Sequence, residues 1–255
     1  MPEGPSILIL KEALQPFKGK TVTAASGDAE IDIQQLTHKK IIDIKTWGKH
    51  LLICFNEFTV RIHLMMFGSY AINERKNRKP RLSLQFNDGE VNFYTCSVLM
   101  IEEPLDEVYD FTADVLNENW DAKAARKKLK AIPDTMVCDA LLDQQIFAGV
   151  GNIIKNEVLY RIKVHPKTLL GNLPPNKLTE LIKEARNYSF DFLKWKKANT
   201  LSKHWLAYSQ KTCLIDGTPF TKSTIGKTHR NTFYCNTCQI KYAKKTKKHN
   251  QTVSA

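Results

Sequence analysis

No apolar run in these 255 residues approaches the ~20 that a membrane-spanning helix needs. The opening stretch MPEGPSILIL has no basic segment followed by an apolar run and a cleavage site, so no secretory leader is read there. A soluble, cytoplasmic protein is expected, nucleoid-associated if its source is bacterial, with no membrane among its partners. No internal repeat is visible, which excludes a solenoid. Acidic charge is scarce: 26 Asp and Glu stand against 38 Lys and Arg, giving a formal charge of +12 and a pI near 9.3. Nucleic acid, an anionic membrane surface or an acidic partner would each account for that excess. Cysteine is too sparse for a disulfide scaffold. Cys54, Cys96 and Cys138 are scattered in apolar surroundings and read as reduced core residues, whereas Cys213, Cys235 and Cys238 cluster, which suggests a metal.

The chain is long enough for one large domain or two modest ones. After a helix-like stretch from Ile7 to Phe17 come short β-like runs at Ile41–Ile44, Leu51–Phe55, Thr59–Leu64, Leu82–Phe86 and Val91–Tyr94. Turn signals such as Asn87-Asp88-Gly89 separate them, as in antiparallel strands of a sandwich or barrel. From about Asn117 helical spacing takes over, through Trp120–Leu129, Val137–Ile146, Asn152–Tyr160 and Leu178–Lys196. The reading is a two-domain α+β protein: a β-sandwich with a flanking helix over 1–112 and a helical domain over 113–207. A small metal-stapled hairpin follows over 208–240, then a basic, disordered tail over 241–255 carrying Lys241, Lys244, Lys245, Lys247 and Lys248.

Several short segments carry chemistry. Pro2 follows the initiator methionine, whose removal would expose a secondary amine. An α-amine titrates near ~8, so much of it is unprotonated at neutral pH and it can attack a sugar C1′ to form a Schiff base. Glu3 beside it could move protons. By themselves, though, Pro2, Glu3 and Pro5 are equally a helix start with a carboxylate on its dipole. Lys49, after Gly48, is either a phosphate contact or an ordinary solvated lysine. Met65, Met66 and Phe67 are either core packing or apolar wedges that fill the gap left by an extruded base. Gly149-Val150-Gly151-Asn152 permits tight turns, with Asn152 suited to an N-cap and the freed backbone N–H groups suited to a phosphate. Asp216 joins Cys213, Cys235 and Cys238 as a C-x-x-D and C-x-x-C set, able to hold zinc with three sulfurs and one oxygen or to degenerate into a hairpin held by packing.

MPEGP, Gly48-Lys49, His63 to Gly68, Leu141 to Asn152 and Arg230 to Cys238, in that order, resemble the formamidopyrimidine-DNA glycosylase/endonuclease VIII family. The resemblance implies Pro2 as nucleophile, Glu3 as acid and Lys49 as the catalytic lysine, with N-glycosidic cleavage followed by β,δ-elimination at the abasic sugar. It further implies a helix–two-turns–helix element in which Asn152 contacts phosphate and Glu157 supports the active site. Arg230 becomes a phosphate clamp, Tyr208 and His63 further backbone contacts, and Met65, Met66 and Phe67 the wedge. The C-terminal element becomes a zinc-finger-like β-hairpin, with Asp216 in place of a cysteine of the family's two C-x-x-C pairs. The implied partner is double-stranded DNA with oxidised bases or abasic sites, bound by a monomer.

Purine-directed members carry arginine and phenylalanine after the strand matching Asn92-Phe93-Tyr94. This chain has Thr95-Cys96-Ser97-Val98-Leu99-Met100 there, and no glycine between Gly171 and Gly217 for the purine branch's capping loop. It therefore resembles the endonuclease VIII branch, which implies oxidised pyrimidines, with oxidised purines as the alternative. Two other classes stay open: a damaged-DNA-binding protein without catalysis, and a zinc-ribbon RNA-binding protein, which would have no use for Pro2 and Glu3.

Overall fold

The computed structural model describes residues 2–243, so Lys244 and the rest of the expected basic tail lie outside the described residues. Helix α1 (Gly4–Leu14) starts behind Glu3 with Pro5 in its first turn, where a missing N–H costs nothing. Ile7, Leu10 and Leu14 lie on one face and are buried. A single 3-10 turn over Gln15–Phe17 ends the helix.

Eight strands follow: β1 (Ala24–Gly27), β2 (Asp43–Trp47), β3 (His50–Cys54), β4 (Thr59–His63), β5 (Ser69–Ile72), β6 (Leu82–Phe86), β7 (Gly89–Tyr94) and β8 (Ser97–Ile101). They form two antiparallel four-stranded sheets, ordered β1-β6-β7-β5 and β2-β3-β4-β8. The period-2 alternation of β3 splits its side chains between two cores. Leu51 and Ile53 enter the main core shared with α1, while Leu52 and Cys54 join a smaller one with Trp47, Ile101, Tyr109 and Ala148. That second core binds the β-rich half to the helical half.

The helical half contains a short α2 (Leu105–Val108), α3 (Ala122–Lys130), α4 (Val137–Ala140), α5 (Asn152–Arg161) and α6 (Pro175–Lys197). The structure corrects the expectation of a helix over Val137–Ile146, and of one from Ala140 to Phe147: only Val137–Ala140 is helical, and turns follow. Side chains compete there for backbone groups. Asp143 accepts from Gln145 N, and Gln144 donates to the carbonyls of Leu142 and Val150 while accepting from Gly149 N. Helix α5 is buried throughout from Asn152 to Tyr160, and none of the described helices is long and apolar enough to cross a membrane. A final hairpin, β9 (Thr221–Ile225) with β10 (Arg230–Tyr234), docks on α5, and its tip meets α4 where Lys227 N donates to Asp139 Oδ1 at 2.9 Å.

Candidate active site and metal centre

Three glycines bring the ends of the site together. Gly48 lies in the two-residue turn between β2 and β3 with φ 54°, and Gly149 precedes α5 with φ 97°. A Cβ on Gly4 would lie 2.8 Å from Gly149 Cα, and one on Gly48 would lie 2.8 Å from Gly149 N. Only hydrogen fits in that junction. The Gly4 N–H donates to Gly149 O at 2.9 Å, and Asp114, buried beside it, accepts from Gly48 N at 2.9 Å. Start of chain, lysine turn and α5 are thereby locked against one another.

The junction delivers Glu3 to an unexpected place. Its fully buried carboxylate accepts from Gly151 N at 3.1 Å, Ile153 N at 2.7 Å and Ile154 N at 3.2 Å. These are the free N–H groups at the start of α5, the groups assigned to a phosphate from the sequence. The anion they hold is Glu3. The N-cap position belongs to Gly151, so the expectation for Asn152 there is also corrected. Asn152 is buried and donates to Asn231 O at 3.0 Å, tying α5 to the hairpin.

Burial pushes the Glu3 carboxyl above its ordinary 4.5, against the opposing pull of Lys49 and the three N–H bonds. Burial likewise lowers the Lys49 ammonium; Glu3 opposes the shift and Arg230 adds to it. A buried carboxyl shifted upward beside a buried amine shifted downward is a pair suited to proton transfer.

Pro2, Glu3, Lys49, His63, Asn152 and Arg230 line one cavity of about 370 Å³, together with Met65 and Met66. A neighbouring cavity of about 450 Å³ shares Pro2 and Met66 and adds Phe67 and Ser6. Met65, Met66 and Phe67 are exposed by 52%, 45% and 76%, so core packing does not account for them. Arg230, exposed at the start of β10, reaches back with Nη1 at 3.2 Å from Met66 Sδ.

Glu157 and Tyr208 do not line this cavity. Glu157 is fully buried and accepts from the N–H groups of Leu206, Ala207 and Tyr208 at 2.8 to 3.0 Å, with Arg161 Nη2 at 3.3 Å. It shapes the loop that carries Tyr208, whose half-buried ring packs edge-on against Trp205 and Phe233.

Cys213, Asp216, Cys235 and Cys238 are positioned to hold a metal ion, their ligand atoms all within 4.8 Å of one another. Cys213 Sγ and Cys238 Sγ are 3.7 Å apart, close to the ~3.8 Å separating two sulfurs each ~2.3 Å from a tetrahedral zinc. Asp216 Oδ2 sits 2.9 Å from Cys238 Sγ and 3.1 Å from Cys235 Sγ. Its Oδ1 accepts from Thr218 N and Oγ1, which leaves Oδ2 as the single ligand oxygen. The Tyr160 hydroxyl lies 3.1 Å from Cys213 Sγ and links this centre to α5. Cys54, Cys96 and Cys138 are free and buried, as expected.

Sequence reasoning missed Asp114, Trp47, Gln144 and His50, of which the last three line the cavity. His50 had a signal, since it follows Lys49 and faces His63 across the β3–β4 pairing. Asp114 had none, because its partner Gly48 lies 66 positions away.

With this geometry in view, comparisons place the chain among known proteins. A profile described as the formamidopyrimidine-DNA glycosylase N-terminal domain matches residues 1–97, and one described as the H2TH domain of the same glycosylase matches 110–191. The chain is 32% identical over 210 residues to a formamidopyrimidine-DNA glycosylase of Carboxydothermus hydrogenoformans, covering 73% of this chain and 75% of that protein. It is also 32% identical over 232 residues to endonuclease 8-like 3 of Xenopus laevis, covering 86% of this chain but only 38% of that longer protein. The fold matches that of the Lactococcus lactis glycosylase solved non-covalently bound to DNA containing an AP site (TM-score 0.80, 22% identity, 93% and 99% covered). It also matches a viral DNA glycosylase (TM-score 0.82, 20% identity, 93% and 100% covered).

Proposed function

Because the chain belongs to the formamidopyrimidine-DNA glycosylase/endonuclease VIII family, we propose that it is a bifunctional DNA glycosylase and AP lyase of base excision repair. It acts as a monomer on double-stranded DNA with an oxidised base or abasic site. The observation that carries this reading is the convergence of Pro2, Glu3 and Lys49 on one cavity beside the exposed Met65, Met66 and Phe67.

With Met1 removed, the Pro2 nitrogen attacks C1′ of the extruded nucleotide. The N–C1′ bond forms as the bond to the base breaks, and the base departs with the proton that the Pro2 nitrogen sheds. Glu3, whose burial favours the protonated carboxyl, protonates the ring oxygen as the C1′–O4′ bond opens, leaving a cationic Schiff base on Pro2. Loss of a C2′ proton then expels the 3′ phosphate, and a second elimination expels the 5′ phosphate. Lys49 and Arg230 supply positive charge beside the reacting sugar, and His63 a backbone contact. Met66 and Phe67, with Met65, fill the space vacated by the base. Zinc suits the three sulfurs and one carboxylate oxygen. When bound it would supply structural closure of the hairpin that carries Arg230, and no step passes through it.

Oxidised pyrimidines are the favoured substrate. Residues 95–100 run through a turn into β8, which pairs with β4, and offer neither the arginine nor the phenylalanine of the purine branch.

Duplexes bearing thymine glycol, 8-oxoguanine or an abasic site, incubated with borohydride, test the proposal. Trapping and cleavage of the abasic duplex, lost in Pro2→Ala, are the expected result, with thymine glycol preferred over 8-oxoguanine. Binding without any trapped adduct would overturn the enzymatic reading and leave a damage-binding protein.

A further inference from the structure

His50 lies directly opposite His63 in the antiparallel pairing of β3 and β4, so both rings project from one face. Their centroids are 5.1 Å apart at an interplanar angle of 74°, and both line the cavity that holds Pro2 and Lys49. His50 Nδ1 lies 3.2 Å from the Tyr109 hydroxyl. Tyr109 is buried, its ring 4.8 Å from that of Trp47, and Trp47 Nε1 donates to Asp110 O at 2.9 Å. The hydroxyl is thus held in place from behind.

The Tyr109 hydroxyl takes up one of the two ring nitrogens. Where it donates its hydrogen there, Nδ1 is the acceptor. The imidazole hydrogen must then sit on Nε2, the nitrogen not committed to Tyr109. Lys49, Arg61, His63, Trp47 and Tyr109 face His50, and among the described residues no carboxylate hydrogen-bonds its ring. Burial, followed by the charge of Arg61, His63 and Lys49, drives its pKa down to about 3. Burial, Lys49 and Arg61 lower that of His63 too.

We propose that His50 is a further DNA-binding residue: a neutral imidazole whose Nε2–H donates to a DNA phosphate beside the reacting sugar, with Tyr109 as the positioning residue that fixes this tautomer. The inference rests on the glycosylase reading above. A cavity with Lys49 and Arg230 already in it recognises an anion, and a neutral donor adds a directed bond there without adding charge. Affinity gained from cationic contacts comes with counterion release and fades as salt rises. A bond from a neutral N–H releases no counterion, so its contribution persists at high salt.

Binding of a duplex carrying a tetrahydrofuran abasic analogue, measured across a range of salt concentrations, separates these contributions. His50→Leu is expected to weaken binding roughly tenfold with an unchanged slope of log affinity against log salt. Arg230→Gln, which removes a charge, should reduce that slope by about one. His50→Gln, whose amide nitrogen can donate from a similar position, should stay within roughly threefold of the wild type, and Tyr109→Phe should fall between the two. In ¹⁵N-labelled protein, His50 Nδ1 should resonate as the unprotonated ring nitrogen and Nε2 as the protonated one. Unchanged affinity in His50→Leu, a slope reduced by about one in that variant, or the opposite tautomer would each overturn the proposal. Failure of the wild-type protein to bind or be trapped on abasic DNA would instead overturn the glycosylase reading on which it stands.

Discussion

The two ends of helix α5 are organised by opposite means. At its N-terminus, Glu3 and the glycine junction hold three segments together through backbone hydrogen bonds and contacts that admit no extra atom. Toward its C-terminus, Tyr160 faces Cys213, one of four groups positioned to hold a metal ion, of which Asp216 is exposed and Cys238 half-buried. The first end needs nothing but the chain. The second gathers four groups positioned to hold a metal ion, as suits a small hairpin with little core of its own. On the proposed function, the reacting groups lie at the first end and Arg230 on the hairpin that adjoins the second.

Chelation should break the comparison most severely. Removing the metal is expected to loosen residues 213–238 and lower activity on abasic DNA roughly a hundredfold or more, while the sheets around α1 stay protected in hydrogen exchange. Metal content measured alongside activity checks this, and Asp216→Ala should lower both. If chelated protein kept full activity, the hairpin would be held by packing alone.

The other end is tested by Gly151→Ala, whose new methyl would lie 2.4 Å from Glu3 Cδ. Overpacking of this kind should cost about 1–3 kcal/mol in urea unfolding. A neutral result would mean that the Glu3 seat yields more easily than its geometry implies. Met66→Ala with Phe67→Ala should slow cleavage of damaged duplex about tenfold, with a smaller loss on single-stranded DNA, where no stack must be filled. Equal losses on the two substrates would remove the wedge role.

The smallest effect is on pH dependence. Glu3 titrates above 4.5 in the folded protein, so between the unfolded and folded values the native state binds more protons. Stability from this group is therefore present at acid pH and lost as pH rises through that window. Glu3→Gln should flatten this component of the urea midpoint as pH rises above 4.5. Lys49, lowered from 10.5, acts with the opposite sign at alkaline pH, where stability rises as pH increases.

Much of this was legible in local pattern. Leu82–Phe86 has the bounds expected of it, and α5 and α6 begin or end within a few residues of the helical spacing. Three strands escaped notice. Ala24–Gly27 has too little bulk to signal a strand, Ser69–Ile72 follows directly on the Met65 to Gly68 turn, and Ser97–Ile101 was read only for what it lacks. The helix after Val137 was overestimated because successive turns preserve its apolar spacing. Among site residues, the ones that act through sequence neighbours could be named. The Glu3 seat could not, because the sequence shows a carboxylate and a glycine turn without showing that one fills the other.

That seat has a consequence for how the protein is made. The N–H groups that receive Glu3 lie 148 to 151 residues further along the chain. Synthesis runs from the N-terminus, so Glu3 is made long before the N–H groups that seat it. Under the proposed mechanism, a half-folded copy lacks the placed acid and is expected to leave DNA uncut.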